Sequence, residues 1–181
     1  MKYKFLPVYI ISLTGVFASY QKGPTNVNDS CIIQTDTLAI ASKLFTLTDA
    51  KKIMGEQVKL TGNTYLKKGD TLEYKCDYTA ISQDAITSKT GKLYFMYEIY
   101  DGVAAAANAY GAIYQANSRS KGVKIVSGLG SEAYYHSDQT GFYFFLVRKN
   151  EKMFRLKLNK VTSHSSVREF KEATKRIVDN L

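Results

Sequence analysis

Two stretches of the chain carry apolar side chains at nearly every position. Residues 142–147 read FYFFLV, and residues 92–100 are interrupted within the apolar run only by Glu98. Successive side chains of a strand point to opposite faces, so a strand without a polar face is covered on both sides. Both stretches are therefore predicted to be central strands. For residues 142–147 one alternative stays open, in which one face is an apolar binding surface.

The remaining strands are predicted from alternating patterns and turn residues. The full predicted set comprises residues 58–60, 72–79, 92–100, 123–126, 132–136, 142–147 and 152–161. Residues 132–147 form a hairpin with its turn at 137–141. Gly62 and Asn63 predict a turn after the first strand. In residues 152–161 basic and apolar positions alternate, which is typical of a half-exposed strand near an edge of the sheet.

Helical spacing of apolar residues predicts three helices. They lie at residues 44–55, 103–117 and 167–181. The predicted N-terminal caps are Thr48, Asp101, and either Ser165 or Ser166. Because short turns join most of the strands, the sheet is predicted to be largely antiparallel, with about six to seven strands. The fold class is α+β, a single-domain α/β sandwich over residues 36–181.

The first 18 residues have the features of a secretory signal. Lys2 and Lys4 precede an apolar run too short to span a bilayer comfortably, and cleavage is predicted after Ala18. Two alternatives are an uncleaved membrane anchor and a lipoprotein leader whose acceptor cysteine is replaced by Tyr20, which cannot carry the thioether lipid. Residues 19–35 are polar and predicted to be a flexible tether. The expected location is the periplasm or cell surface of a bacterium, in free or membrane-associated form, without a transmembrane span after cleavage.

The charge balance is basic. The predicted signal contains two lysines and no acids, so cleavage lowers the formal net charge from +9 to +7. A basic chain in an envelope suits an anionic lipid, an acidic glycan or an acidic envelope protein as a partner. Nucleic acid is a poor partner for an exported chain, and no nucleic-acid-binding motif is present.

Two cysteines, Cys31 and Cys76, remain after the predicted cleavage. In an oxidising compartment an even pair predicts a disulfide, and the alternative is two unrelated buried thiols. Neither cysteine lies in a CxxC motif or beside a histidine. No metal site and no cofactor is predicted.

A candidate ligand-binding site is suggested by polar groups among the aromatic strands. Glu98 lies on an otherwise apolar strand, where a carboxylate is costly unless it is paired or open to water. It either pairs with a lysine or arginine at a strand end, or lies in a tyrosine-lined pocket. The residues predicted for this site are Glu98, Tyr94, Tyr100, Tyr134, His136 and Tyr143. For His136 the alternative is an exposed turn residue without a ligand.

A second candidate is a basic patch on two neighbouring strands. Its members are Arg148, Lys149, Lys152, Arg155, Lys157 and Lys160. Such a patch could bind lipid headgroups, acidic glycans or an acidic protein. Alternation along a half-exposed strand also produces a solvated basic face without any partner.

No catalytic motif is found. Residues 128–133, GLGSEA, fit the G-x-G-x-x-A pattern, but a dinucleotide loop must open a helix, and here a predicted strand follows. Ser131, His136 and Asp138 lie in one hairpin without a nucleophile-elbow pattern, so a catalytic triad is not predicted. No catalytic residue is assigned.

Several landmarks occur in a familiar order: TLTDAKKIMGE, a Cys-x-Tyr strand, an alanine-rich middle helix, GLGSEAYY, an aromatic hairpin and an amphipathic last helix. With these, residues 44–181 resemble the exported bacterial proteins and lipoproteins of unknown function that share the PsbP/Mog1-like α/β sandwich. The resemblance implies that fold and an envelope location. It implies no activity.

The expected function is a non-catalytic exported binding or interaction module of the cell envelope, with an unknown ligand. One alternative is an envelope hydrolase with a cleft near Glu98 and His136. Another is a carrier of a small apolar ligand, which needs an open cavity under residues 142–147.

Overall fold

Seven strands form one antiparallel sheet in a computed structural model that describes residues 40–181. The strands are β1 (Val58–Lys68), β2 (Thr71–Ala80), β3 (Lys92–Ile99), β4 (Val123–Ile125), β5 (Glu132–Ser137), β6 (Phe142–Lys149) and β7 (Lys152–Asn159). Their order across the sheet is β1-β2-β3-β7-β6-β5-β4. The predicted α+β class and the antiparallel sheet are confirmed. The predicted signal, the tether and Cys31 lie outside the described residues.

Three helices occur in the described part of the chain, in the order predicted from the sequence. They are α1 (Leu47–Met54), α2 (Val103–Asn117) and α3 (Val167–Asp179), and residues 40–44 are also helical. Helices α1 and α3 pack on one side of the sheet, called here the two-helix face. Helix α2 packs on the opposite side, the one-helix face. Within residues 40–181 no helix is both long and apolar enough to cross a membrane.

Aromatic packing holds the two-helix face together. Phe170 of α3 stacks on Phe145 of β6 with 5.7 Å between ring centroids, and Phe95 of β3 lies 6.1 Å from Phe154 of β7. All four rings are buried. Side chains of this size dominate the apolar area that a core removes from water, so this face carries most of the hydrophobic stabilisation.

The one-helix face is covered only in part. Tyr110 of α2 packs with Tyr134, Leu146 and Met153 from β5, β6 and β7. Over β2 and β3 the same face carries half-buried residues such as Met96. On this face of β7, Met153 is buried against Tyr110, whereas Arg155 and Lys157 are half-buried at the margin of the helix cover.

The position of β7 corrects a prediction. It is the middle strand of the sheet, between β3 and β6, and not a strand near an edge. Phe154, Leu156 and Leu158 face the two helices, while Arg155 and Lys157 point to the one-helix face, where cover is incomplete. The basic alternation thus reflects an open face of a central strand.

The hairpin of β5 and β6 forms where it was predicted. Asp138 Oδ1 accepts backbone N–H groups from Thr140, Gly141 and Phe142 at 3.2, 2.7 and 2.9 Å. These contacts satisfy donors that the turn would otherwise leave unpaired. The predicted turn at Gly62 is wrong, because Gly62 lies in a bulge inside the long strand β1.

Two of the three predicted helix caps are also wrong. Helix α1 is capped by Thr46, whose side chain accepts from the Asp49 backbone N–H while Asp49 accepts from the Thr46 N–H. This reciprocal capping box leaves no role for Thr48. Helix α2 begins after Gly102, at φ 90°, rather than after Asp101. Ser166 caps α3, as one of its two predicted candidates.

Cys76 is fully buried in β2 and carries a free thiol. Its predicted disulfide partner, Cys31, lies outside the described residues. In the part of the chain that the structure describes, the predicted disulfide is therefore not seen.

Candidate functional site

A cavity of about 260 Å³ opens on the one-helix face beneath the second half of α2. We call it the Tyr134 pocket. It is lined by Ile113, Asn117, Tyr134, His136, Phe142, Phe144, Arg155 and Lys157. Two of these residues come from α2 and the others from three adjacent strands.

Strand register brings the floor of the pocket together. Across β5, β6 and β7, His136 lies beside Phe144, and Phe144 lies beside Lys157. One row further along, Tyr134 and Arg155 flank Leu146. Because residues two apart on a strand share a face, both rows project toward α2.

Two buried polar atoms at this site have no hydrogen-bond partner. They are the Tyr134 hydroxyl and Arg155 Nε. Tyr134 is 0% exposed, and its ring packs 5.6 Å from that of Phe144. Buried polar groups are nearly always paired, and leaving one unpaired costs about 1–3 kcal/mol. A bound molecule that supplies acceptors would remove this cost.

The Tyr134 hydroxyl stays protonated at neutral pH. Burial raises the pKa of Tyr134, and the positive charge of Arg155 opposes that shift only in part. The hydroxyl is therefore available as a hydrogen-bond donor to a ligand.

The pocket carries positive charge against aromatic surface. Lys157 Nζ lies 5.5 Å from the ring centroid of Phe142, within cation–π range. The His136 ring meets the same phenyl ring edge to face at 4.8 Å. None of the eight lining residues is a carboxylate.

Glu98 lies behind the pocket, on the far side of Arg155. Arg155 Nη2 donates to both carboxylate oxygens of Glu98, at 3.0 and 3.3 Å. Burial raises the pKa of Glu98, while Arg155 and a hydrogen bond from Tyr100 oppose that shift. The pair holds one side of the guanidinium and leaves Nε without a partner, so Glu98 positions Arg155.

The structure does not bring Glu98 and His136 together. They are three strands apart, and the register places Glu98 opposite Met153 but His136 in the row of Lys157. Strand spacing and rise then give about 20 Å between their Cα atoms. The predicted cleft near both residues is therefore not a single cavity in the described structure.

The other predicted site residues are dispersed. Tyr94 is on β3, beside Lys157 of β7, and does not line the pocket. Tyr100 contacts Glu98. Tyr143 is on the two-helix face, where its hydroxyl donates to the Gln139 carbonyl at 3.0 Å. Only Tyr134 and His136 of the predicted set line the pocket.

The predicted basic patch also divides. Arg148 is buried and its Nε donates to Glu132 at 2.7 Å. Lys149 and Lys152 donate to carbonyl oxygens at the end of α3, where cations complement the helix dipole. Lys160 is exposed, which leaves Arg155 and Lys157 as the two basic residues at the pocket.

Sequence reasoning missed Ile113, Asn117, Phe142 and Phe144 as site residues. Ile113 and Asn117 lie four residues apart in the predicted helix of residues 103–117, so they share one of its faces. The pattern of one helix does not say which strands it crosses, so it cannot show where the cover ends. Phe142 and Phe144 were predicted as core, and both are half-buried in the structure.

A second cavity, of about 280 Å³, lies between α2 and residues 125–133. Its loop includes Gly130 at φ +68°, where a Cβ would collide with the Arg148 carbonyl oxygen. Strand β5 follows this loop. The loop therefore does not open a helix, as a dinucleotide site requires.

No family model, curated protein or solved structure matches the chain. The resemblance to the PsbP/Mog1-like exported proteins stays a prediction. Within residues 40–181, no group of three or more His, Cys, Asp or Glu side chains is arranged to hold a metal ion.

Proposed function

We propose that this protein is a non-catalytic, exported binding module of the cell envelope and that it binds its ligand in the Tyr134 pocket. One observation carries the proposal. Two residues that line a cavity with an aromatic floor carry buried donors, the Tyr134 hydroxyl and Arg155 Nε, that lack acceptors. Apolar lining with a few converging polar groups is typical of small-molecule sites.

The arrangement of titratable groups favours binding over hydrolysis. A general base must lie within hydrogen-bond reach of the proton that it removes, directly or through one water. His136 has Phe142 at its edge, and no carboxylate is among the lining residues. The carboxylate of Glu98 is already engaged by Arg155 and Tyr100.

A carrier of a purely apolar ligand is supported less well. On the two-helix face, Phe145 and Val147 of β6 are buried, and the ring of Phe145 is stacked on Phe170. On the one-helix face, an apolar ligand would leave the Tyr134 hydroxyl and Arg155 Nε without partners. That would retain the cost that a polar ligand removes.

Export is supported by the amino-terminal pattern, with Lys2 and Lys4 before an apolar run and a small residue at Ala18. We predict that the protein recovered from the envelope fraction of an expressing bacterium begins at Ser19. Mass spectrometry of the intact protein measures this directly. Recovery of a chain that still begins at Met1 would contradict cleavage of the predicted signal.

Binding in the pocket is tested by filling it. Ile113→Trp places a large ring at the lining of the cavity, while Ala112→Trp adds the same ring at an exposed position of α2. Fragments that bind the wild-type protein in ligand-observed NMR should lose binding to the Ile113 variant and keep it with the Ala112 variant. Thermal unfolding checks that both variants are folded.

Two results would contradict the binding proposal. One is that a broad fragment set yields no ligand for the wild-type protein. The other is that the ligands found bind a folded Ile113→Trp variant as well as they bind the wild type.

A further inference from the structure

The charged side chains at the Tyr134 pocket sum to about one positive charge. Arg155 and Lys157 contribute two positive charges, and the Glu98 carboxylate, 3.0 Å from the Arg155 guanidinium, removes one. At neutral pH the site therefore complements a ligand with a single negative charge.

The unpaired polar atoms are donors. The Tyr134 hydroxyl and Arg155 Nε can each donate a hydrogen bond, and Lys157 adds an ammonium group. The Asn117 amide is committed in part, since its Nδ2 donates to the Ile113 carbonyl at 2.8 Å. The ligand group that fits several donors has several lone pairs and no hydrogen of its own, as a carboxylate has.

The rest of the lining is apolar and aromatic. Phe142 and Phe144 form the floor, and Ile113 lies above them on α2. A volume of about 260 Å³ lies just below the usual range for ligand pockets, so the ligand has on the order of ten non-hydrogen atoms.

From these observations we infer that the ligand is a small monocarboxylate whose carboxylate is attached to an aromatic or alicyclic ring. This inference rests on the proposed function and specifies its ligand class. The carboxylate accepts from the Tyr134 hydroxyl and Arg155 Nε, Lys157 adds positive charge over Phe142, and the ring packs on the phenylalanines. A phosphate monoester fits less well, because its second negative charge has no counterpart while Glu98 occupies one side of Arg155.

The test compares three ligands that share one ring: benzoate, benzamide and phenyl phosphate. Isothermal titration calorimetry at pH 7 should give a dissociation constant for benzoate about tenfold or more below that of benzamide, since hydrogen bonds to a charged group are worth more than neutral ones. Phenyl phosphate should bind more weakly than benzoate. Ile113→Trp should abolish benzoate binding.

Two further variants locate the carboxylate. Tyr134→Phe removes only the hydroxyl, and Lys157→Gln replaces the ammonium group with a shorter, neutral amide. Each should weaken benzoate binding about tenfold while leaving benzamide binding within about twofold. Lys67→Gln, at an exposed lysine of β1, is the matched control and should change neither constant.

The outcomes separate this inference from the proposed function. Equal binding of benzoate and benzamide, or tighter binding of phenyl phosphate, overturns the carboxylate inference if Ile113→Trp still abolishes binding, and the pocket then remains the binding site. Benzoate binding that persists in a folded Ile113→Trp variant also overturns it, by placing the carboxylate elsewhere. If neither the three probes nor any fragment binds the wild type, both proposals fail.

Discussion

Replacing Phe170 with alanine should lower the free energy of unfolding by about 4 kcal/mol, which is within the range measured for buried Phe→Ala changes. Phe170 is 0% exposed and joins α3 to the sheet through the rings of Phe145 and Tyr143, at 5.7 and 6.1 Å. The substitution leaves a cavity in place of the ring, and the surrounding packed side chains cannot fully fill that cavity. Urea unfolding followed by circular dichroism measures the change.

The control for Phe170 is an apolar residue outside the core. Ile125 is 70% exposed, so Ile125→Ala should change the free energy of unfolding by less than about 0.5 kcal/mol. A cost near 1 kcal/mol for Phe170→Ala would mean that α3 is not packed on the two-helix face as described.

Replacing Arg155 with methionine should lower the free energy of unfolding by about 3 kcal/mol at pH 7, because it leaves the Glu98 carboxylate buried without its partner. The cost should be much smaller at pH 4. Burial raises the pKa of Glu98 above 4.5, and loss of Arg155, which opposes that shift, raises it further. Urea unfolding at both pH values measures the difference.

The sign of this pH dependence follows from proton linkage. A carboxyl whose pKa is higher in the folded state binds its proton more tightly there, so it favours folding below its unfolded pKa. That contribution is lost as the pH rises through the folded pKa, and in the Arg155→Met protein the loss is larger. Glu73, directly opposite Glu98 on β2, acts in the same direction on the pKa of Glu98.

The double variant Glu98→Gln/Arg155→Met supplies the control. With the buried charge removed, most of the stability lost at pH 7 should return, and the difference between pH 4 and pH 7 should shrink. A penalty for Arg155→Met that is the same at both pH values would show that the ion pair with Glu98 is not its cause.

The central sheet was predictable because burial on both faces leaves a direct mark on the sequence. Strands β3 and β6 have almost no polar face, and both are interior strands. The same reasoning failed for β7, where Arg155 and Lys157 produce the alternation that is typical of an edge strand. The alternation of polar and apolar residues along a strand reflects how far each of its faces is covered. Because helix α2 covers only part of its side of the sheet, even the central strand β7 has a partly open face.

The first helix cap shows a signal that was present and misread. Thr46 precedes the helix and Thr48 lies in its first turn, but only Thr46 has an acidic residue three positions later, at Asp49. That spacing is the one that a capping box requires. The cap of α2 at Gly102 depends on backbone conformation and leaves no comparable side-chain signal.

The candidate site was predictable only in part because it depends on strand order. Glu98 and Arg155 are 57 residues apart and meet because β3 and β7 are neighbours. Tyr143 and Phe144 are adjacent in sequence, yet they lie on opposite faces of β6. Residue type marked Tyr134 and His136 as candidates, but the position of α2 decides that both line one cavity.

The central claim is that the Tyr134 pocket is where this protein binds its ligand. The most direct measurement is a ¹H–¹³C spectrum of the assigned phenylalanine and tyrosine rings, recorded with and without the tightest-binding fragment. The largest shift changes should fall on Tyr134, Phe142 and Phe144, while Phe154 and Phe170 on the opposite face stay unchanged. Shift changes confined to rings outside the pocket, with Tyr134 unaffected, would contradict the claim.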